Sequence, residues 1–200
     1  MGHFQNIFCV KLMTSWKCKR MDTRIKKYTI HILAITAFNP KLFELPFDLP
    51  QKKNAVIICT GRENEYFMNY EGNKLDVAFL DVEDPRVPGG FRYAHARAII
   101  RFLELLPDEV TDLYVCCSKG QSRSAGVAAA ILRMSGRDDD IVWNNPFYNP
   151  NSLAYYRLCK QAGLPVTPLE VQTKKRKNEK AYLELQEGKP TKFERWQIID

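Results

Sequence analysis

The stretch that most constrains this chain is an apolar run, Leu113-Tyr114-Val115, followed by Cys116-Cys117-Ser118-Lys119-Gly120-Gln121-Ser122-Arg123-Ser124 and then Ala125-Gly126-Val127-Ala128-Ala129-Ala130-Ile131-Leu132. A short apolar run, a polar loop with a glycine and a long run of small and aliphatic residues read as strand, tight loop and buried helix. The first N–H groups of a helix have no intrahelical acceptor and the helix dipole is positive there, so such a loop is a ready site for an anion. A cysteine facing it is favoured as thiolate, the nucleophilic form. Arg123 adds a planar cation able to pair two oxygens at once. Thiolate, guanidinium and N–H cradle together form the apparatus for attack on a phosphate monoester.

Five fixed residues in this pattern (Cys117, Gly120, Ser122, Arg123, Ser124) would arise by chance in roughly one chain of this length in ten thousand, given ordinary residue frequencies. The stretch resembles the signature of the cysteine-dependent protein phosphatases, the dual-specificity branch above all. That signature is His-Cys, two residues, Gly, one residue, Ser-Arg, then Ser or Thr. Cys116 stands where the family has its histidine. About a hundred residues precede the motif, which argues against the low-molecular-weight tyrosine phosphatases, whose nucleophile lies near the N-terminus.

The resemblance implies a phosphocysteine formed at Cys117 and a phosphate clamped by Arg123. It also implies a cradle formed by the backbone of Ser118, Lys119, Gly120, Gln121, Ser122 and Arg123, with Gly120 easing the turn. Ser124 matches the hydroxyl that steadies the departing thiolate in the second step. The family takes its general acid from an aspartate on a loop some thirty residues upstream, and requires no metal or cofactor. Two residues compete for that role. Asp84 lies 33 residues before Cys117 in Glu83-Asp84-Pro85-Arg86-Val87-Pro88-Gly89-Gly90, a segment whose prolines and glycines suit a mobile flap, and it is the preferred candidate. Asp81, at the end of the preceding apolar run, is the alternative.

Cys116 removes the histidine that tunes the nucleophile in the family, because a thiol is a weaker hydrogen-bond donor. Lys119 at the pocket mouth suits an acidic or polyanionic substrate. An exposed nucleophilic thiolate is also readily oxidised, and a neighbouring thiol traps the sulfenic acid as a disulfide. Cys116 is adjacent in sequence, yet successive strand residues point to opposite faces. Cys59 ends a parallel strand at the same sheet edge and is the better partner. The segment around Trp143, Asn144, Asn145, Asn151 and Arg157 suits either a pocket rim or the capping of two helices. His31 and His95 have no metal-ligand spacing.

Composition sets the outer bounds. Two hundred residues, 45% hydrophobic and 26% charged, suit one domain with a single core. No apolar run is long enough for a membrane span, and the N-terminal residues lack the layout of a signal peptide. The six cysteines therefore read as reduced thiols and the location as cytoplasmic. A net charge of +7 favours anionic partners. The run Lys174-Lys175-Arg176-Lys177 has no interleaved aromatic and reads as a solvated helix start, so nucleic acid is only weakly indicated.

Strands are expected over Tyr28–Phe38, Ala55–Cys59, Leu75–Val82 and Leu113–Cys116. Helices are expected over Ala94–Leu106, from Ser122 or Ser124 to Met134, from an Asn149 cap to Gly163, and over Lys174–Gln186. Alternation of the two predicts a single α/β domain with a central, mostly parallel sheet and the active site at the strands' carboxyl ends. The expected organisation is a basic extension over 1–27, a phosphatase-like domain over 28–188 and a tail over 189–200. The expected substrates are phosphotyrosine, phosphoserine or phosphothreonine proteins. Two alternatives are a phosphatase of phosphoinositides or RNA 5′-phosphates, and a pseudophosphatase that binds phospho-residues without turnover.

Overall fold

A computed structural model of the chain describes residues 28–35, 53–60, 72–193 and 198–199. In chain order the elements are β1 (Thr29–Ala34), β2 (Asn54–Ile58), β3 (Asn73–Asp76), α1 (Tyr93–Leu105), β4 (Asp112–Cys117), α2 (Arg123–Met134), α3 (Asp140–Trp143), α4 (Ser152–Gln161), α5 (Pro168–Gln186) and β5 (Ile198–Ile199). The expected extension over 1–27, the end of the first strand beyond Ile35, and the Gly61 stop lie outside the described residues.

The strands form one sheet in the order β3-β2-β4-β1-β5. β1, β2, β3 and β4 run parallel, and β5 joins antiparallel beside β1 through Ile30 and His31. Parallel strands need both faces covered, which is why β2, Asn-Ala-Val-Ile-Ile, carries an uninterrupted apolar run and is buried throughout. β4 lies between β1 and β2, so its C-terminal end, where the polar loop begins, emerges from the middle of the sheet. That is where an α/β sheet places its ligands.

α2 follows this loop directly and is the most buried helix, with every residue from Ser124 to Leu132 inside. Its small side chains let it lie close against β4, β1, α3 and α4. The closest approach is at Gly126, where a Cβ would stand 2.5 Å from the carbonyl oxygen and 2.9 Å from the amide nitrogen of Asn151. Only glycine admits the start of α4 there.

Several boundaries differ from the sequence expectation. The third strand stops at Asp76, and residues 77–80 continue without sheet pairing. The helix expected from Asn149 is capped instead by Asn151, whose side chain accepts from Ala154 N at 2.9 Å. The last helix starts earlier than Lys174, at Pro168, because Thr167 caps it by accepting from Glu170 N and a proline fits the first turn. Lys174 and Lys175 thus sit mid-helix and half-buried rather than on a solvated start: Lys174 pairs with Asp139 and Asp140, Lys175 with Glu83.

The segment between α3 and α4 has little regular structure and is held from outside. Asn178 of α5, 1% exposed, donates its amide to the carbonyls of Trp143, Asn145 and Tyr148 at 2.9, 3.2 and 3.1 Å. Beneath it, Arg133 donates to the Tyr155 hydroxyl at 2.8 Å and to Glu170, and Tyr155 donates to Asp139 at 2.7 Å. Buried polar groups placed in such a chain avoid the cost of unpaired burial.

Candidate active site

The loop after β4 builds the site. Cys117 is the last residue of the strand, 2% exposed, with its Sγ 3.1 Å from the Ser124 hydroxyl on the first turn of α2. Gly120 takes φ +66°, a left-handed conformation that turns the loop back towards the helix. Ser122 is the N-cap of α2, yet its hydroxyl makes no capping bond and donates instead to Asp81 Oδ1 at 2.7 Å. Among the described residues, none of the N–H groups from Ser118 to Arg123 donates to a protein acceptor. A row of unpaired N–H groups in one tight loop is a concave anion receptor.

Arg123 folds back over that loop. One terminal nitrogen donates to the Phe79 carbonyl at 3.1 Å and the other to Ser118 Oγ at 2.8 Å. Its Nε is buried and has no partner. An orphaned guanidinium donor carries a large desolvation cost unless a ligand satisfies it.

Cys117, Arg123, Ser118, Lys119, Gln121 and Ser122 line an open cavity of about 530 Å³ together with Asp81, Glu83, Asn149 and Lys175. Lys119 has no ion-pair partner among the described residues. Glu83 accepts from Lys175 Nζ at 2.7 Å and from the Ser152 hydroxyl at 2.9 Å, so both of its oxygens are engaged. Lys175 also reaches Asn149 Oδ1 at 2.6 Å, which ties α5 to the rim.

The two aspartates part company here. Asp81 lines the cavity, and its Oδ1 accepts from Ser122 and from the Asn151 amide at 2.7 and 2.9 Å. Asp84, the candidate preferred on spacing, does not line it. Its carboxylate is clasped by the backbone and guanidinium of Arg86, with contacts of 2.8 to 3.2 Å. Those side-chain bonds from Arg86, and the backbone one, hold it below the usual carboxylate range. The Pro85 turn aims it at its own neighbour, an arrangement that residue spacing does not encode.

The remaining thiols separate by face. Ile58 is opposite Cys116, and Cys59 N donates to Cys116 O at 2.7 Å, so Cys59 follows on beside Cys117. Cys59 and Cys117 belong to the main core, whereas Cys116 packs on the other face with Val56, Ile58 and Tyr114. Burial, reinforced by nearby Cys117, pushes the Cys59 thiol well up; burial does the same to Cys116. Trp143 and Asn145 are wholly buried and take no part in the cavity, and Arg157 donates to the Phe91 carbonyl. His31 pairs with Asp112 at 2.9 Å and His95 accepts from Arg92 N at 3.0 Å, so both serve local structure.

Sequence reasoning missed Glu83, Asn149 and Lys175 as cavity residues and the Phe79 carbonyl as the rest for Arg123. The one signal was the proline between two asparagines in Asn149-Pro150-Asn151, read there as a cap.

No protein-family model matches the chain, and no curated protein matches it. Solved structures to which it is similar include Tk-PTP in the active form, 13% identical over 78% of this chain and 95% of that one, with a TM-score of 0.36. The Yvh1 phosphatase domain from Chaetomium thermophilum is 16% identical over 82% of this chain and 95% of that domain, with a TM-score of 0.35. PTPMT1 in complex with PI(5)P is 16% identical over 66% of this chain and 80% of that one, with a TM-score of 0.32. Likeness this distant carries no weight for chemistry.

Proposed function

We propose that this chain is a phosphoric monoester hydrolase working through a phosphocysteine at Cys117. The observation that carries the reading is Arg123, whose buried Nε has no partner, lining the same cavity as Cys117 beside a row of unpaired loop N–H groups. A phosphoryl group satisfies all of them at once, and their bonds strengthen as charge spreads over its equatorial oxygens.

In the first step the Cys117 thiolate attacks phosphorus, the ester P–O bond breaks, and Asp81 gives the departing oxygen its proton. Asp81 Oδ2 has no protein partner among the described residues, while Oδ1 is held by Ser122 and Asn151. In the second step Asp81, now a carboxylate, takes a proton from water as the water oxygen attacks phosphorus and the S–P bond breaks. The Ser124 hydroxyl, 3.1 Å from Sγ, stabilises the thiolate that leaves. Asp81 replaces Asp84 as the acid because it lines the cavity and Asp84 is spent on Arg86.

Phosphorylated proteins are the first substrate class. Lys119, a cation without an ion-pair partner at the mouth, favours acidic peptides within that class, and it is the feature that keeps phosphoinositides and RNA 5′-phosphates as a second reading. Cys116 in the position of the family histidine keeps open a third, a phospho-residue binding module.

The test is release of p-nitrophenol from p-nitrophenyl phosphate by the wild type and by Cys117→Ser. Turnover in the first and none in the second supports the enzyme. Equal rates in both refute the nucleophile, and saturable vanadate binding without turnover by the wild type supports the binding module.

A further inference from the structure

We propose that Asn151 is the positioning residue that holds the proton donor in register with the phosphate loop. The inference rests on Asp81 being that donor. Asn151 is 0% exposed and does not line the cavity, so it does not touch substrate. Every polar group on it is nevertheless engaged, and the engagements run to three different parts of the site.

Its side-chain amide donates to Asp81 Oδ1 at 2.9 Å and to the Val82 carbonyl at 3.4 Å. Its side-chain oxygen accepts from Ala154 N at 2.9 Å, which caps α4. Its backbone N–H donates to the Ser122 carbonyl at 3.1 Å, the residue whose hydroxyl holds Asp81 from the opposite side. The neighbours repeat the pattern. Asn149 N donates to Gln121 O at 2.9 Å, and the Ser152 hydroxyl donates to Glu83 at 2.9 Å. Residues 149–152 therefore form a clasp, with the phosphate loop on one side and residues 81–83 on the other.

Two features make Asn151 the pivot of that clasp. Gly126 on α2 lets the Asn151 backbone come close against the first turn of that helix, since a Cβ there would stand 2.5 Å from the Asn151 carbonyl oxygen. An asparagine is also a short side chain whose donor and acceptor are separate atoms, so it caps a helix with one atom while orienting a carboxylate with the other. Its amide nitrogen donates to residues 81 and 82 alone among the described residues, and with Oδ1 of Asp81 taken up by two donors, the proton is left to Oδ2. A displacement of about 1 Å in a group that must meet the leaving oxygen is worth roughly a hundredfold in rate.

The rival account is that Asn151 is only a helix cap. Serine and threonine are good caps but cannot reach Asp81, so Asn151→Ser and Asn151→Thr separate the two; the threonine variant retains more of the volume should the serine variant not fold. The measurement is kcat/KM for p-nitrophenyl phosphate, whose leaving group needs little protonation, and for phenyl phosphate, whose leaving group needs it, with thermal melts alongside. The expected result is a loss of tenfold or more on phenyl phosphate, less than threefold on p-nitrophenyl phosphate, and no further loss when Asp81→Asn is already present. Wild-type values, equal losses on both substrates, or a loss that adds to that of Asp81→Asn would overturn the proposal. Asp81→Asn alone keeps the two claims apart. If it shows no dependence on leaving group, the donor itself has been misassigned; if it shows the dependence and the Asn151 variants do not, only the positioning role falls.

Discussion

Replacing Arg123 by lysine keeps one positive charge and removes the fork, so it isolates what the geometry of the guanidinium contributes. In the structure two of its nitrogens rest on the Phe79 carbonyl and Ser118 Oγ, and Nε waits buried without a partner. A lysine ammonium cannot hold the loop and present two parallel donors to a phosphoryl group. Hydrogen bonds to charged groups are worth about 1.5–3 kcal/mol each, so losing two in the transition state costs about 3–6 kcal/mol. At about 1.4 kcal/mol per decade that is a fall of roughly 10²–10⁴ in kcat/KM. The assay is p-nitrophenyl phosphate turnover, paired with melting in orthovanadate. A ligand at a hundred times its dissociation constant stabilises by about 2.7 kcal/mol, which for a chain of this size is a rise in Tm of about 5–10 °C. The wild type should show this rise and Arg123→Lys should lose most of it. A variant that retains more than a tenth of wild-type kcat/KM, or melts with the same vanadate shift, refutes the reasoning.

Cys117→Ser should abolish turnover while retaining the vanadate shift in melting, because the cradle survives without its nucleophile; a lost shift would show that the thiol also builds the anion site. Gly126→Ala should lower stability by about 1–3 kcal/mol, as overpacking does, since its Cβ meets the Asn151 carbonyl at 2.5 Å; an unchanged Tm would mean that α4 yields there. Asn178→Ala strips the donor shared by three carbonyls, of which Asn145 O keeps the Tyr148 N–H, and should cost at least what one unsatisfied buried group does, about 1–3 kcal/mol, read by denaturant unfolding, with a loss under about 1 kcal/mol counting against it. Mild peroxide should convert Cys117 to a sulfenic acid that Cys59 attacks to give a disulfide and water, because neighbouring strands lie about 4.8 Å apart, within the Cα range of a disulfide; peptide maps showing over-oxidised Cys117 and no Cys59 linkage reject it.

Much of the fold was legible because the chain repeats local and global messages that agree. β2 is apolar at every central position and is buried throughout, and the small residues of α2 announce a helix that other elements must approach closely. Where local and tertiary signals diverge, the reading slipped. Leu75 to Val82 is apolar enough for a strand, yet pairing with β2 ends at Asp76. The chain then leaves the sheet, Val77 N still donating to Ile58 O, to carry Phe79 and Asp81 up to the loop. Lys174 and Lys175 carry no mark of burial in sequence. Their carboxylate partners at Asp139, Asp140 and Glu83 lie 34 to 92 residues away in the chain.

The site divides along the same line, and the division has a physical cause. Cys117, Gly120, Ser122, Arg123 and Ser124 fall within eight consecutive residues from the end of β4 to the start of α2, so that spacing in sequence is nearly spacing in space. The proposed proton donor belongs to a different segment, and distance along the chain cannot choose between Asp81 and Asp84, only three residues apart. What chooses is the competition each carboxylate meets. Arg86 offers Asp84 both a backbone N–H and a guanidinium from two residues on. Asp81 has no such local partner and finds Ser122 and Asn151 across 41 and 70 residues instead. Asp84 is satisfied within two residues of itself, whereas Asp81, though exposed, is held only by residues that the fold brings to it. Here Ser122 and Asn151 meet Asp81 beside the loop after β4, and Asn151, which the sequence placed only in a segment suited to a rim or to helix capping, is a wholly buried amide.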